Sequence, residues 1–449
     1  MSIALVILAA GKGTRMESDV PKVLHTIGGA PLLHHAMLST SGLEPAKTVV
    51  VTGHGADLVE ASAKSFDPDV ITVRQEDQLG TGHAVAQAKD ALSGFDGDVI
   101  VLYGDTPFIT TETLEQMIAA RKTFDVVVLG FEAADPGKYG RLIMDGASLH
   151  RIVEYKDATE EERAVTFCNS GVLCVDARTL YELLDAVSND NAAGEYYLTD
   201  VPALAKDHGL TSTAVACDEA ETLGINSRSE LATAAAAFQI RSRQTMMESG
   251  VQLQAPDTVF LSFDTVIGRD AEIEPNVVFA PGVTVESGAR IRAFSHLEGA
   301  HVSRGATVGP FARLRPGAEL AEDVHIGNFV EIKNASIDEG AKVNHLTYIG
   351  DASIGARTNI GAGTITCNYD GVMKHKTTIG RDSFIGSNTM LVAPVTVGDE
   401  AMTATATTVT QDVPDGAMAI ARTEQKNKKG FARKLMSMLR ARKAKQAKG

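Results

Sequence analysis

Tryptophan is absent from this 449-residue chain, aromatic residues make up only 5%, and no apolar run approaches the length needed to cross a bilayer. The scarcity of aromatics argues against an aromatic-rich antiparallel sandwich. With 41 glycines and many Val, Ile and Ala, it argues for parallel strands and tight turns instead. The four cysteines, Cys168, Cys174, Cys217 and Cys367, form no CxxC pair and no spacing that would hold a tetrahedral zinc, and read as free thiols of a reducing cytoplasm. No basic stretch precedes the apolar strand at 3–8 and no small-residue cleavage site follows it, so a cytoplasmic protein without membrane insertion is expected. Net charge is -15, which excludes a general nucleic-acid binder.

What is present divides the chain. Up to about residue 227, short apolar runs alternate with amphipathic stretches: IALVIL then PLLHHAML, KTVVVTG then ADLVEASA, DVITV then TGHAVAQAKDAL, DVIVLYGD then TETLEQMIAA. That alternation predicts a parallel sheet covered by helices on both faces, a Rossmann-like α/β domain over 1–227 whose site lies at the strand C-termini. Residues 228–248 lack Gly and Pro and predict one connecting helix.

From 249 to 421 the period changes to six. Ile267, Ile273, Phe279, Val285, Ile291 and Leu297 open the series. After a five-residue step it runs through Val302, Val308, Leu314, Leu320, Ile326 and Ile332, then Ile337, Val343, Ile349, Ile354 and Ile360, and returns at Ile379, Ile385, Leu391 and Val397. Aliphatic residues at this spacing fit neither an α-helical face nor simple alternation. They are the signature of a parallel β-helix, in which each hexad supplies one short strand and its aliphatic residue stacks on the same position one coil away. Gly268, Gly282, Gly309, Gly327, Gly350 and Gly380 are expected at the corners, where a tight turn favours a residue without Cβ. The stretch GAGTITCNYDGVMKHKT, 361–377, carries no hexad and reads as a functional loop ejected from the coil.

The first apolar strand runs into LAAGKGTRM. This is not a Walker A loop, and Met16 stands where a dinucleotide fingerprint would have its third glycine. Gly11 and Gly13 let backbone N–H groups approach phosphate, with Lys12, Arg15 and Lys22 supplying charge. On spacing alone, a solvated turn with stray bases accounts for the stretch as well. Asp105 ahead of TPFITTETL reads equally as a helix cap, Asn169 before Gly171 as a chain turn, and Glu154 beside Lys156 as half of a surface ion pair.

Taken together, LAAGKGTRM, PKVLHTIGG, QLGTGHAV, YGD, KYGRLI, IVEYKDAT, NSGV and GINSR resemble the sugar-phosphate nucleotidyltransferases. With the hexapeptide region, the chain up to about Arg422 is similar to the bacterial bifunctional N-acetylglucosamine-1-phosphate uridyltransferase/glucosamine-1-phosphate acetyltransferases. The resemblance implies that the β-helix is left-handed and built of hexapeptide repeats, and that the chain catalyses acetylation of glucosamine 1-phosphate by acetyl-CoA, then uridylyl transfer from UTP to N-acetylglucosamine 1-phosphate, in a homotrimer serving peptidoglycan and lipopolysaccharide synthesis. It places Leu8, Ala9, Ala10 and Gly11 under the nucleotide, Arg15 and Lys22 on the triphosphate, and Gln75, Gly80 and Thr81 on the uracil edge. Tyr103, Gly104 and Asp105 continue that site. Asp105 and Asn226 would share a Mg²⁺, and Gly140, Glu154 and Asn169 would bind the sugar.

For acetyl transfer the resemblance implies that Arg315 and Lys333 clamp the sugar phosphate, that Tyr348 and Asn359 orient the sugar, and that His345 is the general base. Imidazole, with an unperturbed pKa of about 6.5, suits that role. On its own His345 reads equally as a structural histidine. Ala362, Asn368, Tyr369, Ser387, Thr405 and Arg422 match acetyl-CoA positions, although Thr405 and Ala406 stand where the family usually has alanine and glycine. Cys367 lies beside this site, but the motif offers it no partner base, so direct transfer is expected.

The basic tail, 422–449, reads either as a solvated, largely disordered extension with Phe431 near the CoA site, or as a membrane-surface helix with Phe431, Leu435 and Leu439 on one face. Two rival functions stay open at this stage. One is a nucleotidyltransferase whose β-helix only assembles the oligomer, and the other is a nucleotide-sugar sensor.

Overall fold

The computed structural model describes residues 2–446 and separates into two compact units, Met1–Gln244 with Leu261–Phe263, and Thr245–Phe260 with Asp264–Gly449. In the first, seven strands form the main sheet: β1 Ile3–Ala9, β2 Lys47–Thr52, β3 Ile71–Arg74, β4 Asp98–Tyr103, β5 Val126–Glu132, β6 Phe167–Asp176 and β7 Ser212–Cys217, in the order β7-β5-β6-β4-β1-β2-β3. Both faces of β1 are covered, which is why it reads as an unbroken apolar run: Ala4, Val6 and Leu8 enter one core layer and Ile3, Leu5, Ile7 and Ala9 the other.

One strand departs from the expected all-parallel sheet. β6 runs antiparallel to β4 and β5. The chain between β5 and β6 holds a hairpin, Arg141–Asp145 with Ser148–Val153, and a four-residue helix, with no crossover helix to bring β6 back in the parallel sense. β1 lies between β2 and β4, so the chain leaves it toward both sides of the sheet. The C-terminal ends of β1 and β4 are therefore a topological switch point, where open α/β sheets leave a crevice.

Helix Arg228–Glu248 has the bounds expected from sequence. Its Ala234 and Phe238 pack with Ile27, Leu32, Phe108 and Ile225 in the first unit.

The second unit is a parallel β-helix with three short strands per coil, each pairing with the strand a coil away. The register is 18 residues where hexads are complete, as in Glu272↔Arg290, and 17 where a five-residue step intervenes, as in Ile337↔Ile354. Every aliphatic residue in the hexad series, from Ile267 to Val397, is buried. A second interior row stands two positions before each one, including Ala271, Ala289, Ala306, Ala318, Ala341, Thr358 and Thr389. These small residues leave room for the aliphatic row inside the narrow prism.

Two expectations about the coil change. Gly268, Gly327 and Gly380 are required for closeness between coils rather than for turning: a Cβ on Gly327 would lie 2.0 Å from the carbonyl oxygen of Asn344. Gly282 and Gly309 do hold left-handed positions, at φ 77° and 97°, and many others of that kind are held by non-glycine residues, among them Asp270, Asn276, Phe294, Phe311, Phe329, Asp351 and Asn388. The ejected segment is also shorter than 361–377, because strand Ile365–Cys367 stays in the ladder with Met390–Val392 and Thr377–Ile379 resumes it. Thr366 occupies an aliphatic position there, and its hydroxyl exchanges hydrogen bonds with the backbone of Gly350 (2.8 and 3.1 Å), which hid the hexad from the aliphatic pattern.

In the tail, Phe431–Gln446 forms a helix exposed along its whole length, in place of the largely disordered extension. Positions 447–449 lie outside the described residues. Among the described residues no helix is long and apolar enough to cross a membrane.

Candidate active sites

At the switch point, β1 ends at Ala9 and the chain turns through Gly13, whose φ of 58° puts it in the left-handed region. A Cβ on Gly13 would lie 2.6 Å from that of Lys22, so glycine here lets the Lys22 side chain cross the turn. Met16, in the third-glycine position, is a buried core residue. The Lys22 ammonium donates to Asp105 Oδ2 in a mostly buried ion pair and to Asn226 Oδ1 at 3.0 Å. Asp105 is not a helix cap. Helix Thr111–Ala120 is capped by Thr110, whose Oγ1 accepts from the Thr113 N–H at 3.2 Å.

A cavity of about 340 Å³ opens over these groups, lined by Leu8, Ala9, Ala10, Gly11, Lys22, Gln75, Gly80, Thr81, Tyr103 and Asp105. Arg15 sits outside that lining, exposed on the short 3-10 turn Thr14–Met16. Gly104 is buried behind the cavity, with its N–H on the Leu8 carbonyl at 2.9 Å. Gln75 is buried and donates from Nε2 to the carbonyl of Gly80 at 3.1 Å, with His83 Nδ1 at 3.0 Å. Because a carbonyl can only accept, the group facing Gly80 is the Gln75 amide NH₂. Gln78, donating to the Ala10 carbonyl at 2.7 Å, and Glu195 also line the cavity and were missed in sequence; only the placement of Gln78 inside QEDQLGTGH hinted at it.

Gly140, Glu154 and Asn169 come together beside Tyr103. A Cβ on Gly140 would stand 3.6 Å from both Asn169 Cβ and Glu154 Oε1, and the Asn169 N–H donates to the Gly140 carbonyl at 2.9 Å. Asn169 does turn the chain as well, its Oδ1 accepting from the Gly171 N–H at 3.0 Å. Glu154 is not a surface ion pair. Burial pushes its carboxyl above the usual range, opposed by a hydrogen bond from Thr199 and reinforced by Asp157 and Asp200. Burial also pushes the Tyr103 phenol up, with Asp105 and Glu154 adding to it. Arg141, fully buried, donates to the carbonyls of Pro136, Gly137, Tyr139 and Arg163, and so fixes the loop that presents Gly140.

In the β-helix, one corner collects His345 and most of the expected CoA positions. The N–H after each corner residue bonds to the residue one coil below: Gly363 to His345 (3.2 Å), Asn388 to Ala362 (2.7 Å) and Ala406 to Ser387 (2.7 Å). Arg422 Nη1 then donates to the Thr405 carbonyl at 2.8 Å. His345, Ala362, Ser387 and Thr405 thus form one ascending row. Thr405 contributes its backbone, and Ala406, at φ 61°, adopts the left-handed conformation that favours glycine.

The adjoining face carries Glu331, Lys333 and Tyr348, with Arg315 one coil below Lys333 donating to Glu331 at 2.9 Å. The ejected loop closes the far edge. Its Asn368 donates to Asp351, Tyr369 is exposed, and Lys374 lies against Lys333. That contact holds the Lys374 ammonium below the usual lysine range, because a second cation beside it disfavours its charge. Lys374 was not singled out in sequence, although MKHK within the loop was its signal. Asn359 stands apart, on the strand Asn359–Ile360 of the neighbouring face. Burial pushes the Cys367 thiol up, away from nucleophilic character.

Comparison with known proteins agrees with both halves. Residues 5–196 match the MobA-like NTP transferase domain, residues 264–299 the bacterial transferase hexapeptide of six repeats, and residues 376–411 the hexapeptide repeat of succinyl-transferase. The bifunctional protein GlmU of Ruegeria sp. (strain TM1040) is 69% identical over 449 residues, covering 100% of both chains. That of Ruegeria pomeroyi (strain ATCC 700808 / DSM 15171 / DSS-3) is 69% identical over 444 residues, 99% of each chain. That of Jannaschia sp. (strain CCS1) is 65% identical over 439 residues, 98% of this chain and 97% of its relative. These alignments run over both units, and the chain belongs to the family of bifunctional GlmU proteins.

Proposed function

We propose that this protein makes UDP-N-acetylglucosamine in two steps: acetyl transfer from acetyl-CoA to glucosamine 1-phosphate in the β-helix, then uridylyl transfer from UTP to N-acetylglucosamine 1-phosphate in the α/β unit. The observation that carries the reading is the meeting of Lys22, Asp105 and Asn226 at the mouth of a cavity at the sheet's switch point.

In uridylyl transfer, a phosphate oxygen of the sugar 1-phosphate attacks the α-phosphorus of UTP and pyrophosphate leaves. The protein's work is positioning and charge stabilisation. Gln75 accepts from the uracil edge beside Gly80 and Thr81, Lys22 and Arg15 neutralise the triphosphate, and Glu154 and Asn169 hold the sugar. Asp105 and Asn226 fit a hard cation: a carboxylate oxygen and an amide oxygen already converge on the Lys22 ammonium. Bound there with phosphate and water oxygens, Mg²⁺ would supply charge stabilisation to the transferring phosphate.

In acetyl transfer, the glucosamine amine attacks the thioester carbonyl, His345 takes the amine's proton, and the thiol of CoA departs. Arg315, Lys333 and Lys374 receive the sugar phosphate. The raised thiol of Cys367 favours direct transfer over an acyl-enzyme. All four cysteines are free, which supports a cytoplasmic location.

A homotrimer accounts for two features of the coil. Phe294, Phe311 and Phe329 stack along one edge with centroids 4.9 and 5.3 Å apart, each about half exposed. An identical edge of another copy would cover them. Asn359, which faces away from Tyr348 within one chain, would then serve a site completed between copies. The test is an assay with glucosamine 1-phosphate, acetyl-CoA, UTP and Mg²⁺, which should yield UDP-N-acetylglucosamine with both half-reactions measurable separately. Failure of either half-reaction would remove that half of the reading.

A further inference from the structure

The corner row that holds His345, Ala362, Ser387 and Thr405 has one more member, immediately below the histidine. Asn328 ends the strand His325–Asn328 and pairs in register with His345, the last residue of Lys342–His345. The Leu346 N–H donates to the Asn328 carbonyl at 3.1 Å, the same corner bond that joins the coils above. The side chain of Asn328 also reaches its neighbour, with Oδ1 3.0 Å from His345 Nδ1.

We propose that Asn328 is a positioning residue for acetyl transfer, holding His345 in the tautomer with the proton on Nδ1 and the lone pair on Nε2. The inference rests on His345 being the base. An amide oxygen has no proton to give, so the ring nitrogen facing it must donate. Nε2, the nitrogen left over, is then the acceptor that a general base requires. The coil makes this orientation cheap to maintain. The His345 carbonyl is fixed from two sides, by the Gly363 N–H at 3.2 Å and the Thr347 hydroxyl at 2.6 Å, so the ring swings only about its own side-chain bonds. Asn328 removes most of that freedom. His325, on the strand that Asn328 ends, interacts with His345, and burial together with Lys342 and Arg292 holds His325 below its ordinary value. The group placed against His345 Nδ1 is the neutral amide of Asn328.

Two substitutions in the full-length protein test this. Asn328→Ala should lower kcat for acetyl transfer about 10- to 100-fold with little change in KM for glucosamine 1-phosphate or acetyl-CoA, while uridylyl transfer is unchanged. Asn328→Asp keeps an acceptor on Nδ1 and adds a negative charge, so it should retain most of kcat above neutral pH and move the acidic limb of the pH profile upward. A merely structural Asn328 would instead lower the melting temperature in both variants and leave the limb in place. Normal kcat in Asn328→Ala, or an unmoved limb in Asn328→Asp, would overturn the proposal. Normal acetyl transfer in His345→Ala would instead overturn the assignment of the base.

Discussion

Lys22 and Asn226 stand 204 residues apart in the chain, yet the lysine Nζ donates to the asparagine Oδ1 at 3.0 Å while also pairing with Asp105. The three groups form one small polar cluster at the edge of the nucleotide cavity, so removing any one disturbs the other two. Asp105→Ala should abolish uridylyl transfer, because it takes away the only carboxylate of the cluster and leaves Lys22 without its counter-charge. Acetyl transfer should stay at the wild-type rate. Equal loss of both activities, measured as two separate half-reactions, would mean that Asp105 serves folding rather than chemistry.

Glu154 gives a pH-dependent prediction. Burial raises its carboxyl above the ordinary value of 4.5, so the folded protein holds this proton to higher pH than the unfolded chain does. Stability from this group is therefore complete below the unfolded value and falls as pH rises through the folded one. Glu154→Gln cannot ionise and should unfold at higher denaturant concentration than wild type at pH 7, with the gap closing toward pH 4. It should also raise KM for N-acetylglucosamine 1-phosphate. A variant less stable than wild type at pH 7 would show that the carboxylate is better satisfied than its surroundings indicate.

In the coil, Gly327→Ala should destabilise the β-helix by about 1–3 kcal/mol, since the new methyl meets a backbone carbonyl that cannot rotate aside. Gly288→Ala is the contrasting case: its Cβ would touch nothing within 4 Å, but φ is +72°, so its smaller cost comes from backbone strain alone. Thermal unfolding of both, followed on the β-helix transition, should rank Gly327→Ala as the more damaging. The reverse order would contradict a role for Gly327 in the close approach of neighbouring coils.

The stacked phenylalanines should be covered in solution. Phe311→Asp introduces a charge between Phe294 and Phe329 and should convert the proposed trimer to smaller species by sedimentation, with acetyl transfer falling and uridylyl transfer retained. A trimeric, fully acetylating Phe311→Asp protein would place the subunit contact elsewhere.

The ease with which these features could be read from sequence follows from how each is encoded. The aliphatic hexads declare the β-helix because a residue every six positions suits neither a helical face nor an alternating strand, and each of those residues proves buried. The companion row of Ala, Ser, Thr and Val stayed hidden, since small residues mark no period by hydropathy, and Thr366 concealed a whole strand by replacing an aliphatic residue with a hydrogen-bonded hydroxyl. The reversed direction of β6 is set by what connects it to β5, and apolar patterning carries no information about strand direction. Asp105 and Asn226 could be paired only through resemblance, for nothing local to either residue reports a partner more than a hundred positions away. Asn328 and Lys374 acquire meaning only from the coil's register and from the fold of the ejected loop.

The central claim is that two independent sites on this chain act in series through a free intermediate. Asp105→Ala and His345→Ala should each fail to produce UDP-N-acetylglucosamine from glucosamine 1-phosphate, acetyl-CoA and UTP, the histidine variant losing about 100- to 10,000-fold in acetyl transfer. Mixed in one tube, the two proteins should restore product, because N-acetylglucosamine 1-phosphate made by one is consumed by the other. A mixture as inactive as either variant alone would contradict the account.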